Sequence, residues 1–284
     1  MSIVAISRGT YSGGEQVARA VSNRLGYRCV SREVIYEAAQ RYDVPPEALM
    51  QSMERRPPLW DRMLGKRSAH LTFMRAALCE YALGGNLVYH GYVGHLLLPG
   101  ITHVLRVRVI ADADYRMAAV MQAQQLAHAE AVAYIGQVDK ERRQWARSLF
   151  GVEWDDPLLY DLLVNVSRIS LDAGCDLVVR AAALPEFAPT HSSLRAIRDL
   201  TISSRVSAAL ASDSRTQDSN LAVQAQEGVI TLVGTTHSPI VIQAAPVIAQ
   251  QVEGVQEVRS QVRLLHEGNP FVTNSPAQSL NRNG

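Results

Sequence analysis

The stretch SRGTYSGGEQ, residues 7–16, separates an apolar segment from a segment with helical periodicity. Residues 2–7 form a short apolar run that predicts a strand, and Val17, Ala18, Val21 and Leu25 recur at the spacing of a helix face. A glycine-rich turn from a strand into a helix presents backbone N–H groups at the positive end of the helix, where an anion is favoured. The stretch therefore predicts a phosphate-binding turn, although such turns also occur as plain connections.

The turn departs from the usual phosphate-loop pattern GxxxxGK[ST] at its charged end. Gly9 and Gly14 stand at the two glycine positions, but Glu15 stands where lysine belongs and Gln16 where the hydroxyl residue belongs. That lysine normally contacts the terminal phosphates, and that hydroxyl normally holds magnesium. A carboxylate at Glu15 would repel phosphate unless it turned away or took part in metal binding. Phosphate binding here would depend on main-chain amides.

The rest of the first 183 residues alternates between strand and helix patterns. Residues 86–89 and 104–110 are apolar runs short enough for buried parallel strands, and residues 114–174 have a mainly helical pattern. A further short apolar run at 177–180 predicts the last strand. Alternating strands and helices predict an α/β fold with a parallel sheet, here assigned to residues 1–183.

A second unit follows a segment of linker composition. Residues 184–197 contain two prolines and polar residues, which is typical of a domain boundary. Residues 198–265 predict the order helix, strand, strand, helix, strand, with the first two strands joined at Glu227-Gly228 and the second helix opened by Pro239. Residues 266–284 are polar and proline-containing and predict a disordered tail.

Two long motifs resemble a known family. ISRGTYSGGEQVARAVSNRLGY (6–27), followed by SREVIYEAA (31–39), resembles the opening of the cytidylate-kinase-like family. AYIGQVDKERRQWARSLFGVEWDDPLLYDLLVNVSRISLD (133–172) resembles that family's lid and the helix after it. The resemblance extends over about residues 1–180 and implies a P-loop nucleoside monophosphate kinase core with a helical lid.

The resemblance also implies ligands and site residues. It implies ATP and Mg²⁺ as cofactors and a pyrimidine nucleoside monophosphate as phosphate acceptor. Closure of arginines over the transferring group suits phosphoryl transfer, which depends on positioning and charge neutralisation. By position, the implied phosphate-binding residues are Arg8, Gly9, Ser12, Gly13, Gly14 and Glu15, and the implied catalytic lid residues are Asp139, Arg142, Arg143 and Arg147.

Two departures from the family leave the activity open. Glu15 stands where the family tends to have arginine, and Gly91-Tyr92 stands where it tends to have a glycine-arginine pair. Loss of one charge donor to a transition state costs on the order of a hundredfold to a thousandfold in rate. Retention of Arg142 and Arg143 favours a weak kinase, whereas the loop favours a non-catalytic pseudokinase that senses nucleotide.

Residues 198–265 resemble a BON domain over their whole length. That resemblance implies a sensing or docking module whose ligand is a small molecule, a lipid or a protein. The unit contains no candidate nucleophile or metal cluster. A peripheral protein that docks lipid through this unit is a third reading of the chain.

Composition excludes several classes of function. The chain has 284 residues, a net charge of +1 and 19% charged residues, which provide no long-range field for nucleic acid or an anionic membrane. No run approaches the roughly 20 apolar residues of a membrane span, and the N-terminal stretch has no signal-peptide pattern, so a cytoplasmic location is expected. No metal site is predicted, because no metal-ligand spacing occurs among Cys29, Cys79, Cys175, His90, His95 and His103.

Overall fold

A computed structural model describes residues 2–54, 66–91 and 94–265, with backbone alone for a few residues beside the first gap. The predicted tail at 266–284 and Tyr92 lie outside the described residues. The first part of the chain contains β1 (Ile3–Arg8), α1 (Gly14–Leu25), β2 (Arg28–Val30), α2 (Glu33–Tyr42), α3 (Pro46–Glu54), α4 (Lys66–Leu83), β3 (Leu87–Gly91), α5 (Gly94–Leu97), β4 (Val104–Ile110), α6 (Ala113–Gln124), α7 (His128–Phe150), β5 (Leu162–Asn165) and α8 (Leu171–Ala182). The second part contains α9 (His191–Ser212), β6 (Ala222–Gln226), β7 (Val229–Thr236), α10 (Pro239–Gln250) and β8 (Glu257–Leu264).

The first part is built on a five-stranded sheet in the order β2-β3-β1-β4-β5. Every pairing in this sheet is parallel, with Ile3 of β1 opposite Leu87 on one side and Val104 on the other. The central strand β1 is apolar along most of its length because helices cover both faces of the sheet. The predicted parallel α/β fold is confirmed.

The edge strand of this sheet differs from the prediction. Residues 177–180 do not form a strand, because they belong to α8, which Ser170 caps at its N-terminus through a hydrogen bond from the Ala173 amide. The fifth strand is instead β5, Leu162–Asn165, inside the region with a predicted helical pattern. A run of four residues is too short for periodicity to separate strand from helix, and pairing with β4 decides the matter.

The second part has the predicted order of helices and strands. Its sheet has the order β6-β7-β8, with β6 antiparallel and β8 parallel to the central strand. Ile230 and Leu232 of β7 are fully buried against α9 and α10, while alternate residues face outward. The α+β arrangement αββαβ is therefore confirmed.

Helix α9 joins the two parts. It begins at His191, inside the segment predicted as a linker, where Thr190 caps it through the Ser193 amide. Ile197 and Ala208 pack in the same core as α4, whereas Val206 and Leu210 pack in the core of the small sheet. One helix thus contributes to both hydrophobic cores. In the described part of the chain, no helix combines the length and apolarity needed to cross a membrane.

Candidate functional site

A cavity of about 1030 Å³ opens at the carboxyl edge of the parallel sheet. Its walls come from the loop between β1 and α1, from α2 to α4, from the end of β3, and from α6 and α7. Strand order reverses at β1, whose neighbours β3 and β4 follow it in the chain on opposite sides. Ligands of parallel α/β sheets bind at such a reversal, outside the carboxyl ends of the strands.

The loop places the N-terminus of α1 against this cavity. Gly13 precedes the helix with φ of 76°, a left-handed conformation that favours glycine, and no side chain caps the helix. A Cβ atom at Gly14 would lie 2.5 Å from the Cβ of Arg8, so this position also requires glycine. The first amides of a helix have no intrahelical partner, and here they belong to residues that line the cavity. This arrangement is an anion cradle.

Arg8 lies beside the cradle. Its side chain runs past Gly14, and the residue lines the cavity. The Nε atom of Arg8 is buried and has no hydrogen-bond partner among the residues that the structure describes. A buried donor without a partner costs about 1–3 kcal/mol, which an anionic ligand would recover. Arg8 therefore has the geometry of a phosphate ligand.

Glu15 stands at the position of the usual lysine, and its negative charge is partly balanced by a neighbouring arginine. Its carboxylate accepts hydrogen bonds from Nε and Nη2 of Arg19, one helical turn later, at 3.2 and 3.0 Å. The Arg19 hydrogen bond lowers the pKa of Glu15, so the group stays ionised as half of an ion pair. Glu15 still lines the cavity, and its side chain is 46% exposed. Its repulsion of an anion is reduced and not removed.

The hydroxyls of the loop are engaged in holding its shape. Ser12 is buried, and its Oγ lies 2.9 Å from the carbonyl oxygen of Val109 and 3.0 Å from that of Gly9. The Gly9 amide donates to the Val109 carbonyl at 3.2 Å. The Thr10 hydroxyl donates to Asp139 at 2.9 Å. The structure thus puts Gly9 and Ser12 beneath the cradle, where they fasten the loop to β4.

Asp139 connects the lid helix α7 to the loop. Besides the Thr10 hydroxyl, it binds Nη2 of Arg116 in α6 at 2.6 Å, and both charged side chains are largely buried. Arg116 completes the connection by donating from Nε to the Thr10 carbonyl at 2.8 Å. The sequence did not single out Arg116, because its role depends on the approach of α6 to the loop. Asp139 therefore fixes the lid and does not line the main cavity.

Of the three lid arginines implied by the resemblance, the structure brings Arg142 to the cavity. Tyr134, Val138 and Arg142 recur every four residues on the face of α7 that lines it. The Nη1 atom of Arg142 lies 3.3 Å from the Arg8 carbonyl oxygen, to which it donates. Arg143 lies on another face, 3.6 Å from Asp155 in a recess of about 170 Å³. The remaining lid arginine, Arg147, pairs with Glu153 and has a side chain 70% exposed.

Aromatic residues that the sequence did not single out complete the cavity wall. Tyr11, at the tip of the loop, has φ of 56°, which is uncommon for a residue with a large side chain. Its hydroxyl accepts a hydrogen bond from Gln124 Nε2 at 2.7 Å, and its ring meets the edge of Tyr134 with centroids 6.3 Å apart. Tyr89, the central residue of β3, also lines the cavity. No spacing in the sequence could have joined these residues, which come from different elements.

The three histidines between β3 and β4 are buried. Burial lowers the pKa of His90 and of His95 to about 4, and it also lowers the pKa of His103. Each has one ring nitrogen without a hydrogen-bond partner among the described residues. Within residues 2–54, 66–91 and 94–265, no group of three His, Cys, Asp or Glu side chains could hold a metal ion.

The loop does not fit the magnesium site that phosphate-loop enzymes use. That site needs the hydroxyl after the lysine and a nearby aspartate. Gln16 stands at the hydroxyl position, and the hydroxyls of Thr10 and Ser12 are engaged elsewhere. The carboxylates that line the cavity, Glu15 and Glu141, bind Arg19 and Gln137 respectively. The chain therefore offers no ready-made magnesium ligands at this loop.

Comparison with known proteins identifies both parts of the chain. The model of the cytidylate kinase-like family matches residues 3–168, and that of the BON domain matches residues 198–265. Among solved structures, the chain is similar to an uncharacterized protein from Eubacterium ventriosum, with 18% identity and a TM-score of 0.48 over 64% of this chain and 98% of that one. It is also similar to shikimate kinase from Bacteroides thetaiotaomicron, with 11% identity and a TM-score of 0.43 over 64% of this chain and 99% of that one. No curated protein matches the chain.

Proposed function

The chain belongs to the cytidylate kinase-like family and carries a C-terminal BON domain, and from this premise we propose that its cavity binds a nucleotide by the phosphates. The phosphates would rest on the free amides at the start of α1, between Arg8 on one side and Arg142 on the other. ATP would be the phosphate donor and a pyrimidine nucleoside monophosphate the acceptor, with slow phosphoryl transfer between them.

The single observation that carries this proposal is the uncapped N-terminus of α1 inside a large cavity. Gly13 and Gly14 leave the helix amides uncovered, and Gly14 leaves room for the Arg8 side chain. Partial positive charge at a helix end and a nearby guanidinium both favour a phosphate group. The volume of about 1030 Å³ is large enough for more than one ligand group.

Slow transfer is expected from the charges at the loop. Phosphoryl transfer is accelerated mainly by cations placed around the transferring group. Arg8, Arg32 and Arg142 line the cavity, but Glu15 occupies the lysine position and no loop hydroxyl is free for magnesium. The lid can still position the ligands, but the cations around the transferring phosphoryl group would neutralise only part of its charge.

Calorimetry paired with a phosphotransfer assay tests this function. The full chain would be titrated with ATP and with CMP, each with and without Mg²⁺, and ADP release would be followed with both nucleotides present. Binding with slow turnover supports the proposal. Absence of binding by every nucleotide would remove it, and binding without turnover would favour the second candidate below.

The second candidate is a non-catalytic sensor that couples nucleotide binding to a BON ligand. The observation in its favour is the ionic connection between the two parts. Glu80 of α4 accepts a hydrogen bond from Arg205 Nη2 of α9 at 2.7 Å. It accepts another from Arg41 Nη1 of α2, and the N-terminal end of α2 lines the cavity. Arg205 also contacts Glu253, after α10. A change in the small domain would reach α2 through this side chain.

The sensor requires reciprocal effects between two sites. We take residues 1–183 and 198–265 as the two units, with residues 184–197 between them, and the BON unit as a docking module for a small molecule, lipid or protein. Arg205→Ala should lower the temperature of calorimetric unfolding, because it removes the ionic link, while the packing of α9 in both cores should keep the transition single. Arg195→Ala is the matched control, since Arg195 forms an exposed pair with Glu227. Sedimentation with anionic vesicles tests lipid docking directly.

A further inference from the structure

Tyr89 has a position that needs two glycines. It is the third of the five residues of β3, is 4% exposed, and lines the cavity. A Cβ atom at Gly91 would lie 2.5 Å from the Tyr89 hydroxyl oxygen, and one at Gly94 would overlap the Tyr89 ring. Both glycines therefore allow the backbone to approach this ring closely.

The Tyr89 hydroxyl makes no hydrogen bond to another described residue, which distinguishes it from the second buried tyrosine, Tyr160. Tyr160 donates to the Trp154 carbonyl at 2.8 Å and accepts from Arg108 Nη1 at 3.0 Å. The Tyr89 hydroxyl is not among the polar atoms of the described residues that are fully buried without a partner, so it remains accessible from the cavity that Tyr89 lines. A ligand in the cavity can therefore accept a hydrogen bond from it.

Arg8 and Tyr89 thus both line the cavity with donors that the described residues leave unbonded. Arg8, with its unpartnered Nε, is the last residue of β1, and Tyr89 is the third of the five residues of the adjacent strand β3. Burial raises the pKa of Tyr89 to about 12, with the Arg8 charge opposing the rise, so the group remains an O–H donor. A neutral donor beside a guanidinium can approach an anionic oxygen without electrostatic cost.

We propose that the Tyr89 hydroxyl donates a hydrogen bond to a phosphoryl oxygen of the bound nucleotide, beside Arg8, on the β3 side of the cradle. This inference rests on the proposed nucleotide binding and adds a residue to it. Tyr89 supplies a donor that approaches from the sheet, at a site where the loop has Glu15 in the place of a cation. It is a binding residue for the phosphoryl group, and its ligand is a nucleotide.

The substitution Tyr89→Phe separates binding from packing because it keeps the ring and removes only the hydroxyl. The full-length variant would be titrated by calorimetry with ATP, CMP, adenosine and cytidine beside the native chain. We expect roughly tenfold weaker binding of the phosphorylated ligand that the native chain binds, as loss of a hydrogen bond to a charged group predicts. Affinity for the matching nucleoside should not change.

Thermal unfolding without ligand provides the second measurement. Tyr89→Phe should unfold at about the same temperature, because the hydroxyl that it removes makes no hydrogen bond to the described residues. Tyr160→Phe is the matched control, and it should unfold at a lower temperature because its hydroxyl is bonded on both sides.

The outcomes distinguish this inference from the function on which it rests. If the native chain binds no nucleotide, the proposed function fails and this inference fails with it. If the native chain binds and Tyr89→Phe binds equally well, the inference alone is overturned. A parallel loss of nucleoside and nucleotide affinity would also overturn it, since the hydroxyl would then be contacting something other than phosphate.

Discussion

Arg116 of α6 and Asp139 of α7 form an ion pair with 2.6 Å between Nη2 and Oδ2, at the point where the lid meets the loop. Thr10 joins both members, since its hydroxyl donates to Asp139 and its carbonyl accepts from Arg116. The loop and the lid are thus connected before any ligand binds. The position of the lid helix against the loop therefore depends on a few polar contacts.

Asp139→Asn should loosen the lid. The change removes the charge opposite Arg116 in a largely buried position, and breaking such a pair costs on the order of 3 kcal/mol. Amide hydrogen exchange in α7 should become faster. Asp155→Asn is the control, because its pair with Arg143 is half exposed and longer, at 3.6 Å. Equal exchange in the two variants would show that the Asp139 pair does not hold the lid.

Gly14→Ala should weaken nucleotide binding by at least about tenfold. The added Cβ would collide with the Arg8 side chain, and displacement of a positioning group by about 1 Å can cost a hundredfold. Calorimetry with the best nucleotide measures the loss. Gly136→Ala in α7 is the matched control, because a Cβ there meets nothing within 4 Å. If Gly14→Ala binds as tightly as the control, the turn is only a connection between β1 and α1.

Glu15→Lys should strengthen binding of nucleoside triphosphates by roughly tenfold. A charge-assisted hydrogen bond contributes about 1.5–3 kcal/mol, and the substitution also removes a negative charge from the cavity. Glu37→Lys is the matched control, because Glu37 also pairs with an arginine one turn later, Arg41, but away from the cavity. A weaker affinity in Glu15→Lys would show that the carboxylate attracts the ligand, for instance through a metal ion.

Acid should destabilise the fold through its buried histidines. The pKa of His95 is about 4 in the folded chain and 6.5 in the reference state, so the unfolded chain binds more protons between these values. The free energy of unfolding therefore falls as pH decreases through this window, by at most about 1.4 kcal/mol per pH unit for each such histidine. In denaturant titrations, the free energy of unfolding of His95→Gln should change less steeply with pH than that of the native chain. An unchanged slope in His95→Gln would contradict the assignment.

The local elements with strong patterns were predictable from the sequence. The turn at residues 7–16 predicted strand, loop and helix in the observed order, because glycine requirements and helical periodicity are properties of neighbouring residues. Strand β4 was predicted with its observed bounds. Strand β5, of four residues, was missed because only its pairing with β4 makes it a strand.

The family motifs named the lid residues, but they could not say which of them face the ligand. Arg142 and Arg143 are neighbours in sequence, and a helix turns them about 100° apart. Packing of α7 against the loop directs Arg142 to the cavity and Arg143 to Asp155. Arg116 had no signal in the sequence, since its contacts to Thr10 and Asp139 join residues from three separate elements.

The sequence by itself determined the family, the phosphate-loop turn, the parallel α/β class of the first part and the order of elements in the second part, because these depend on short-range spacing and backbone conformation. Only the tertiary structure decided that Tyr89 lines the cavity, that Arg116 joins Asp139 and Thr10, and that α9 belongs to two cores. These relations arise from side chains of different elements that share one buried space. Packing sets that space, and no local pattern encodes it.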